Sequence, residues 1–220
     1  MLPVTRHPDS RFIALEGIDG AGTTTHTRRL MKALRELGKD ARATCEPSSG
    51  PIGGTIRQIL QNRLVVADPS GARPFKWSTM ALLFAADRLD HLDSEVLPAL
   101  REGATVITDR YDLSSLAYQS ATAPQGEEVL PWIRALNRNA IRPDLTIVLQ
   151  VPLAVAEQRR QARGAEELFE RPELQEKLAA LYAQARDLLP EDRICFVSAE
   201  GAVEEVGQRI LDAARSVYDD

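Results

Sequence analysis

The 220 residues carry 27% charged and 44% hydrophobic side chains, the balance of an ordinary soluble globular chain long enough for one sizeable core. A net charge of −5 argues against a general nucleic-acid binder, which needs a basic stripe, and no run approaches the ~18 apolar residues of a membrane span. Cys45 and Cys195 lie far apart and form no zinc spacing with His7, His26 and His91, so a reduced, cytoplasmic protein with both cysteines in core strands is expected.

In chain order, residues 1–10 read as a loose leader and residues 11–220 as a single domain. Short apolar runs over 12–15, 41–45, 105–109, 145–151 and 194–197 predict strands of a buried parallel sheet. Between them, Leu30, Leu34 and Leu37 mark a helix ended by Gly38, and residues 52–61 a shorter one. A long apolar stripe from Met80 through Leu83, Phe84, Leu89, Leu92 and Val96 to Leu100 predicts an amphipathic helix ended near Gly103. Further helices fit 127–140, 153–162, 173–188 and 203–217. This alternation implies an α/β fold of three layers, with a five-stranded parallel sheet between helices and the ligand at the strands' carboxyl ends. The charged stretch 163–172 reads as an ordered loop or a short lid.

The first strand runs into Gly17-Ile18-Asp19-Gly20-Ala21-Gly22-Thr23-Thr24 and then into a helix. That is the spacing of a phosphate-binding loop, G-x-x-x-x-G-K-[ST], with Thr23 where the lysine stands. Its glycines let several backbone N–H groups point into one concavity, and the following helix adds its positive end, so the loop suits a polyphosphate such as ATP. Arginine outnumbers lysine 23 to 4. Guanidinium forks suit phosphate, but a GC-rich coding sequence explains the total, so each arginine is assigned by position.

Three further segments narrow the reading: Cys45-Glu46-Pro47-Ser48-Ser49-Gly50-Pro51 with Arg57 beyond it, Leu82-Leu83-Phe84-Ala85-Ala86-Asp87-Arg88, and Asp109-Arg110-Tyr111 followed by Ser114-Ser115-Leu116-Ala117-Tyr118-Gln119. With these the chain resembles the thymidylate kinases of bacterial type, P-loop nucleoside monophosphate kinases, from residue 12 to about residue 217. The resemblance implies phosphorylation of dTMP to dTDP with ATP and Mg²⁺, for dTTP synthesis, by direct in-line transfer. It also implies a homodimer, for which the stripe on residues 80–100 is one candidate face and the sheet the other claimant.

Residue by residue, the resemblance assigns the acceptor's base to Phe84 (stacking), Arg88 (to carbonyl O4), Ser115 and Gln119 (the polar edge) and Pro47 (the methyl side), with Glu46 beside it. Tyr118 would crowd the sugar 2′ position. Arg57 and Arg110 would clamp the 5′-phosphate, and Asp19 would approach the acceptor's sugar and phosphate. Residues 17–24 would hold ATP, and Thr24 and Asp109 the Mg²⁺. Each residue alone also has a plainer reading. Phe84 fits a core stripe, Asp87 and Arg88 a solvated face with Asp90 and His91, and Asp109-Arg110 a salt-bridged strand end.

The pattern breaks at three places. Thr23 removes a cation that Lys32, nine residues on, is too far away to replace. Cys45, Ser48 and Ser49 replace the family's arginine and glycines, and Leu168 takes an arginine's place in the lid. Arg163 and Arg171, which bracket the lid, are the candidates to neutralise the migrating phosphoryl group, with Arg159 a turn back. The missing lysine keeps a second class of function open, a nucleotide binder without catalysis. Transfer to another monophosphate, dUMP above all, is a third reading.

Overall fold

The computed structural model describes residues 5–69, 71–162 and 171–218. Its strands are β1 (Arg11–Gly17), β2 (Ala41–Cys45), a hairpin of β3 (Val66–Asp68) and β4 (Gly71–Arg73), then β5 (Thr105–Asp109), β6 (Leu145–Gln150) and β7 (Ile194–Ser198). Five of them form one parallel sheet in the order β2-β5-β1-β6-β7. These are the five expected strands, and the fold is that of the P-loop NTPases. The hairpin was not expected; its strands are three residues each, too short to show an alternating pattern.

Alternation along β1 divides the interior. Ile13 and Leu15 face a core shared with Leu30, Leu34, Ile107, Ile147 and Ile210. Phe12 and Ala14 face the opposite layer, packed on Leu92, Val96, Leu100 and Tyr111. The chain leaves β1 toward β2 and β5 on one side and later returns to β6 on the other, so the strand order reverses at the carboxyl end of β1. Open parallel sheets bind ligands at such a point.

The helices are α1 (Thr23–Glu36), α2 (Pro51–Leu60), α3 (Trp77–His91), α4 (Leu97–Arg101), α5 (Asp112–Thr122), α6 (Leu130–Asn137), α7 (Leu153–Gln161), α8 (Pro172–Ala183), α9 (Ala185–Leu188) and α10 (Val203–Arg215). The expected helix over residues 80–100 is α3 and α4 joined through a π turn, Leu92–Val96. Its stripe is not wholly internal: Met80, Leu92 and Val96 are buried, but Leu82 and Leu89 face outward. The expected helix over 127–140 begins as a 3₁₀ turn, Gly126–Val129, and ends at Asn137, and that over 173–188 divides at Gln184. Among the described residues no helix is long and apolar enough to cross a membrane.

Two other expectations are corrected. Cys45 is exposed and Cys195 half-buried, because both lie on edge strands rather than in the core. Residues 6–10 are pinned rather than loose: Arg6 pairs with Asp144 at 2.7 Å, and the His7 N–H donates to Leu100 O at 3.1 Å.

The loop after β2 is fastened to α3. The Asp87 carboxylate accepts from Ser48 N–H at 2.7 Å and from Ser48 Oγ at 2.6 Å, which gives the serine in the glycine's place a structural role. Gly53 lies beneath this clasp, where a Cβ would come 2.1 Å from Ser48 O and 2.8 Å from Asp87 Oδ1. Gly53→Ala is therefore expected to destabilise the fold by about 1–3 kcal/mol, the usual range for overpacking. Thermal unfolding checks this, and an unchanged midpoint would contradict the clasp.

Candidate active site

β1 turns into α1 through the glycine-rich loop. At Gly20 (φ +89°) a Cβ would lie 2.3 Å from Ala156 O on α7, so only glycine fits. Gly22 (φ +95°) is the N-cap of α1 and offers no side-chain cap. The first-turn amides, with Thr23 and Thr24 beside them, are thus left for an outside acceptor at the positive end of the helix dipole.

Thr23 is 5% exposed and lies on the cavity wall. Lys32 is far from taking its place, 78% exposed and 3.9 Å from Glu36. The cations beside the loop come from α7. Arg160 donates to Asp19 O at 2.8 Å. Arg159 donates to Ala199 O at 3.0 Å and reaches Gly20 O and Ala21 O at 3.4 and 3.5 Å. No carboxylate pairs with Arg159 among the described residues; the acceptors they give it are backbone carbonyls. Burial, then Arg29 and Arg159, lowers the pKa of His26, which shares the cavity wall.

The strand end of β5 closes the loop's other side. Thr24 Oγ1 donates to Asp109 Oδ2 at 2.5 Å, while Asp109 Oδ1 is buried with no hydrogen-bond partner among the described residues. Arg110 takes φ +76°, a region that non-glycine residues rarely adopt and that collects at functional sites. The strain is held by several bonds: its N–H to Leu15 O at 2.9 Å, and its guanidinium to Gly17 O, Tyr182 Oη at 2.9 Å and Asp19 Oδ1 at 2.7 Å. Gln175 Nε2 reaches the other Asp19 oxygen at 3.0 Å.

Away from the loop, α3 and α5 build an apolar, polar-edged end. Phe84 is half-buried, with part of its ring on the cavity. Tyr118 lies under Arg110, whose Cζ is 5.4 Å from the ring centre. Gln119 Oε1 is buried without a partner among the described residues. Arg88 and Asp87 are fully buried, not a solvated face. Arg88 Nε and Nη2 donate to Glu46 Oε2 at 2.9 and 2.6 Å, Nη2 also reaches Ser115 Oγ at 3.1 Å, and Nη1 donates to Asn137 Oδ1. Four of the five N–H groups of the guanidinium are thereby engaged, and its planarity fixes where the last one points.

A cavity of about 680 Å³ joins these parts. Asp19, Gly20, Gly22, Thr23 and Thr24 line one side, and Glu46, Pro47, Phe84, Arg88, Ser115, Tyr118 and Gln119 the other, with Asp109 and Arg110 between. Arg159, Val203 and Val206 extend the loop side. Gly17, Ile18 and Ala21 are not on the cavity wall; Ile18 and Ala21 are buried in the core. Arg57 donates to Pro47 O at 2.8 Å and is also off the wall. Arg171 is the exposed N-cap of α8 and is not among the residues lining the cavity, and Arg163 lies outside the described residues. Sequence reasoning did not find Arg160, Gln175, Tyr182 or Asn137; the last three sit in helical stripes that read simply as core.

Glu16 lies behind the loop, fully buried, accepting from Tyr111 N–H at 2.9 Å and Ser114 Oγ at 2.6 Å. Burial pushes its carboxyl from 4.5 up to about 7, against Arg110 and these donors. The folded chain therefore holds this proton more tightly than the unfolded one. The stability it contributes is complete below the unfolded value and is lost as pH rises through about 7. Glu16→Gln is expected to remove about 2 kcal/mol of the fall in unfolding free energy between about pH 5 and about pH 7.5. Denaturant titrations at the two pH values check this, and identical slopes for the two proteins would contradict it.

A glycine-rich turn between the first strand and first helix, at the reversal point of a parallel sheet, defines a P-loop NTPase. The sequence matches the thymidylate kinase family model over residues 15–210, and the chain belongs to that family. It is 39% identical to a probable thymidylate kinase of Pyrococcus abyssi, over 91% of this chain and 93% of the relative. It is 37% identical to a probable thymidylate kinase of Pyrobaculum aerophilum (94% and 97% covered) and 34% identical to a thymidylate kinase of Nitrosospira multiformis (94% and 98% covered).

Proposed function

We propose that this chain transfers the γ-phosphoryl group of ATP to the 5′-phosphate of dTMP, yielding ADP and dTDP. The observation that carries the reading is the one cavity, with a polyphosphate loop at one end and an aromatic, donor-edged pocket at the other. Two nucleotides entering from opposite ends meet over Asp19, Asp109 and Arg110. Phosphoryl transfer asks a protein for that alignment and for charge neutralisation.

At the acceptor end, Phe84 supplies a face for the thymine ring. The remaining Arg88 N–H, a donor only, meets the carbonyl O4; the amino group of cytosine would oppose it donor to donor. Ser115 and Gln119 face the base edge, and Pro47 and Glu46 wall the pocket beside Arg88. Tyr118 stands where a 2′-hydroxyl would crowd it. Arg110, held against Asp19, faces the 5′-phosphate. Arg57 acts on that phosphate only by leaving the Pro47 carbonyl. At the donor end, Asp19, Gly20, Gly22, Thr23 and Thr24 of the loop cradle the phosphates, and Val203 and Val206 offer an apolar wall to the adenine.

Thr24 Oγ1 and the unpartnered Asp109 Oδ1 are hard oxygen donors, which fit Mg²⁺ bound through few protein ligands plus phosphate and water. When bound, the ion neutralises charge on the phosphates. Arg159, which lines the cavity and among the described residues pairs with no carboxylate, takes over the role of the missing loop lysine more directly than Arg171. Residues 11–220 are assigned to one kinase domain; of the lid expected over 163–172, residues 163–170 with Arg163 lie outside the described residues, and Arg171 and Pro172 begin α8 as its N-cap and first residue. The outward row Leu82, Ala86 and Leu89 on α3 is the surface for a second copy of the chain. The free thiols fit the reducing cytoplasm.

A coupled ADP-release assay tests the activity. ADP formation with ATP and Mg²⁺ is expected to depend on dTMP and to exceed background hydrolysis clearly. ADP release indifferent to dTMP, with both nucleotides bound, would instead favour a binder without catalysis.

A further inference from the structure

Behind the thymine end a buried chain of groups runs from Arg88 and Glu46 on the cavity wall back to His91 and Thr44, which are off it. His91, 0% exposed, closes α3. Its Nδ1 is 3.4 Å from Glu46 Oε1, and its Nε2 is 2.7 Å from Thr44 Oγ1 on β2. A carboxylate only accepts, so a bond to Glu46 has Nδ1–H as its donor, while Nε2 faces the Thr44 hydroxyl and, at 3.6 Å, Glu95 Oε2. Glu46 uses its other oxygen, Oε2, for both Arg88 bonds. The two oxygens of one carboxylate are thus held from opposite sides, by His91 and by Arg88.

The backbone is shaped for this. The π turn Leu92–Val96 starts at the residue after His91. A π turn shifts the helix register, a distortion concentrated at functional positions. Here Arg88 and His91 both point inward before it, and Leu92 and Val96 still reach the core after it.

From this arrangement we infer that His91 is a positioning residue for acceptor selection. Through Glu46 it fixes the rotation of the Arg88 guanidinium and so the aim of the one N–H left for the pyrimidine carbonyl. The inference rests on the acceptor reading given above. Without the imidazole, Glu46 Oε1 has lost a fixed donor, the carboxylate turns, and Arg88 follows it. Acceptor binding and the choice between thymine and cytosine then loosen, while the donor end, on α1 and α7, is unaffected.

The test compares His91→Ala, His91→Asn and His91→Gln by calorimetry with dTMP, dCMP and ATP, alongside steady-state kinetics. Asparagine's amide reaches the Nδ1 position and keeps the donor to Glu46; glutamine's reaches toward Nε2 and does not. His91→Ala is expected to weaken dTMP binding about tenfold, the scale of one lost hydrogen bond, with a similar fall in preference over dCMP and unchanged ATP affinity. His91→Asn should recover most of the loss, and its KM for dTMP should return toward wild type. Equal weakening of dTMP and ATP, or no rescue by asparagine, would overturn the role. If His91→Ala does not fold, the asparagine and glutamine variants decide: equal dTMP affinities overturn it. Wild-type protein that binds dTMP without turning it over removes the kinase reading alone, since binding still reads the inference. Wild-type protein that binds no dTMP removes both.

Discussion

Arg159→Ala is expected to lower kcat by roughly 10²–10³, the loss typical of removing one preorganised donor from developing charge. The argument starts from what the loop lacks. Thr23 offers the phosphates a neutral hydrogen bond at best, weaker than a charge-assisted one. Of the three arginines on the cavity wall, Arg88 is spent on Glu46 and Arg110 on Asp19. Arg159 alone of these donates only to backbone carbonyls, and two of those belong to the loop itself. Removing it takes away the side-chain cation that stands beside the loop on the cavity wall. Thr23→Lys should raise kcat in the wild-type background and recover more in the Arg159→Ala background, because the two cations would share one task. Arg171→Ala, at an exposed position off the cavity, serves as the control with kcat near wild type. Equal effects of Arg159→Ala and Arg171→Ala on single-turnover rates would sink the substitution of one cation by the other.

The second large effect concerns Arg88. Arg88→Met should destabilise the fold by about 3–5 kcal/mol, because it strands the buried Glu46 carboxylate and frees Asn137 and Ser115 of their shared donor. Adding Glu46→Gln to Arg88→Met should restore much of that stability, since the stranded charge then disappears. It should not restore dTMP binding, which needs the guanidinium. Chemical denaturation with calorimetry on the same preparations separates the two. A double variant that recovers neither stability nor binding would show the ion pair is not what the stability loss reflects.

The centre of the sheet was legible because β1 and β6 are short apolar runs, and buried parallel strands have to be apolar on both faces, whereas the edge strand β2 carries Arg42 and is mostly half-buried. The loop was legible because its glycines are demanded by geometry: position 20 has no room for a Cβ. Less was visible where a residue's role depends on a distant partner. Arg88 and Asp87 look like surface charges in sequence, yet their counter-charges and acceptors, Glu46 and Ser48, arrive from the loop after β2. Tyr182 and Gln175 sit in an ordinary helical stripe and reach Arg110 and Asp19 only because α8 packs on α5. The π turn leaves no trace in an apolar periodicity that tolerates one added residue. Cys45 reads as core from its strand, and only the sheet order shows that β2 is an edge.

The central claim is that donor and acceptor occupy one cavity together, joined through their phosphates. Titration with an adenosine–thymidine bisubstrate, the two nucleosides linked 5′ to 5′ by a polyphosphate bridge, measures this directly. The account predicts one molecule bound per chain and displacement by both ATP and dTMP. Displacement by only one of them, or two molecules bound per chain, would contradict it.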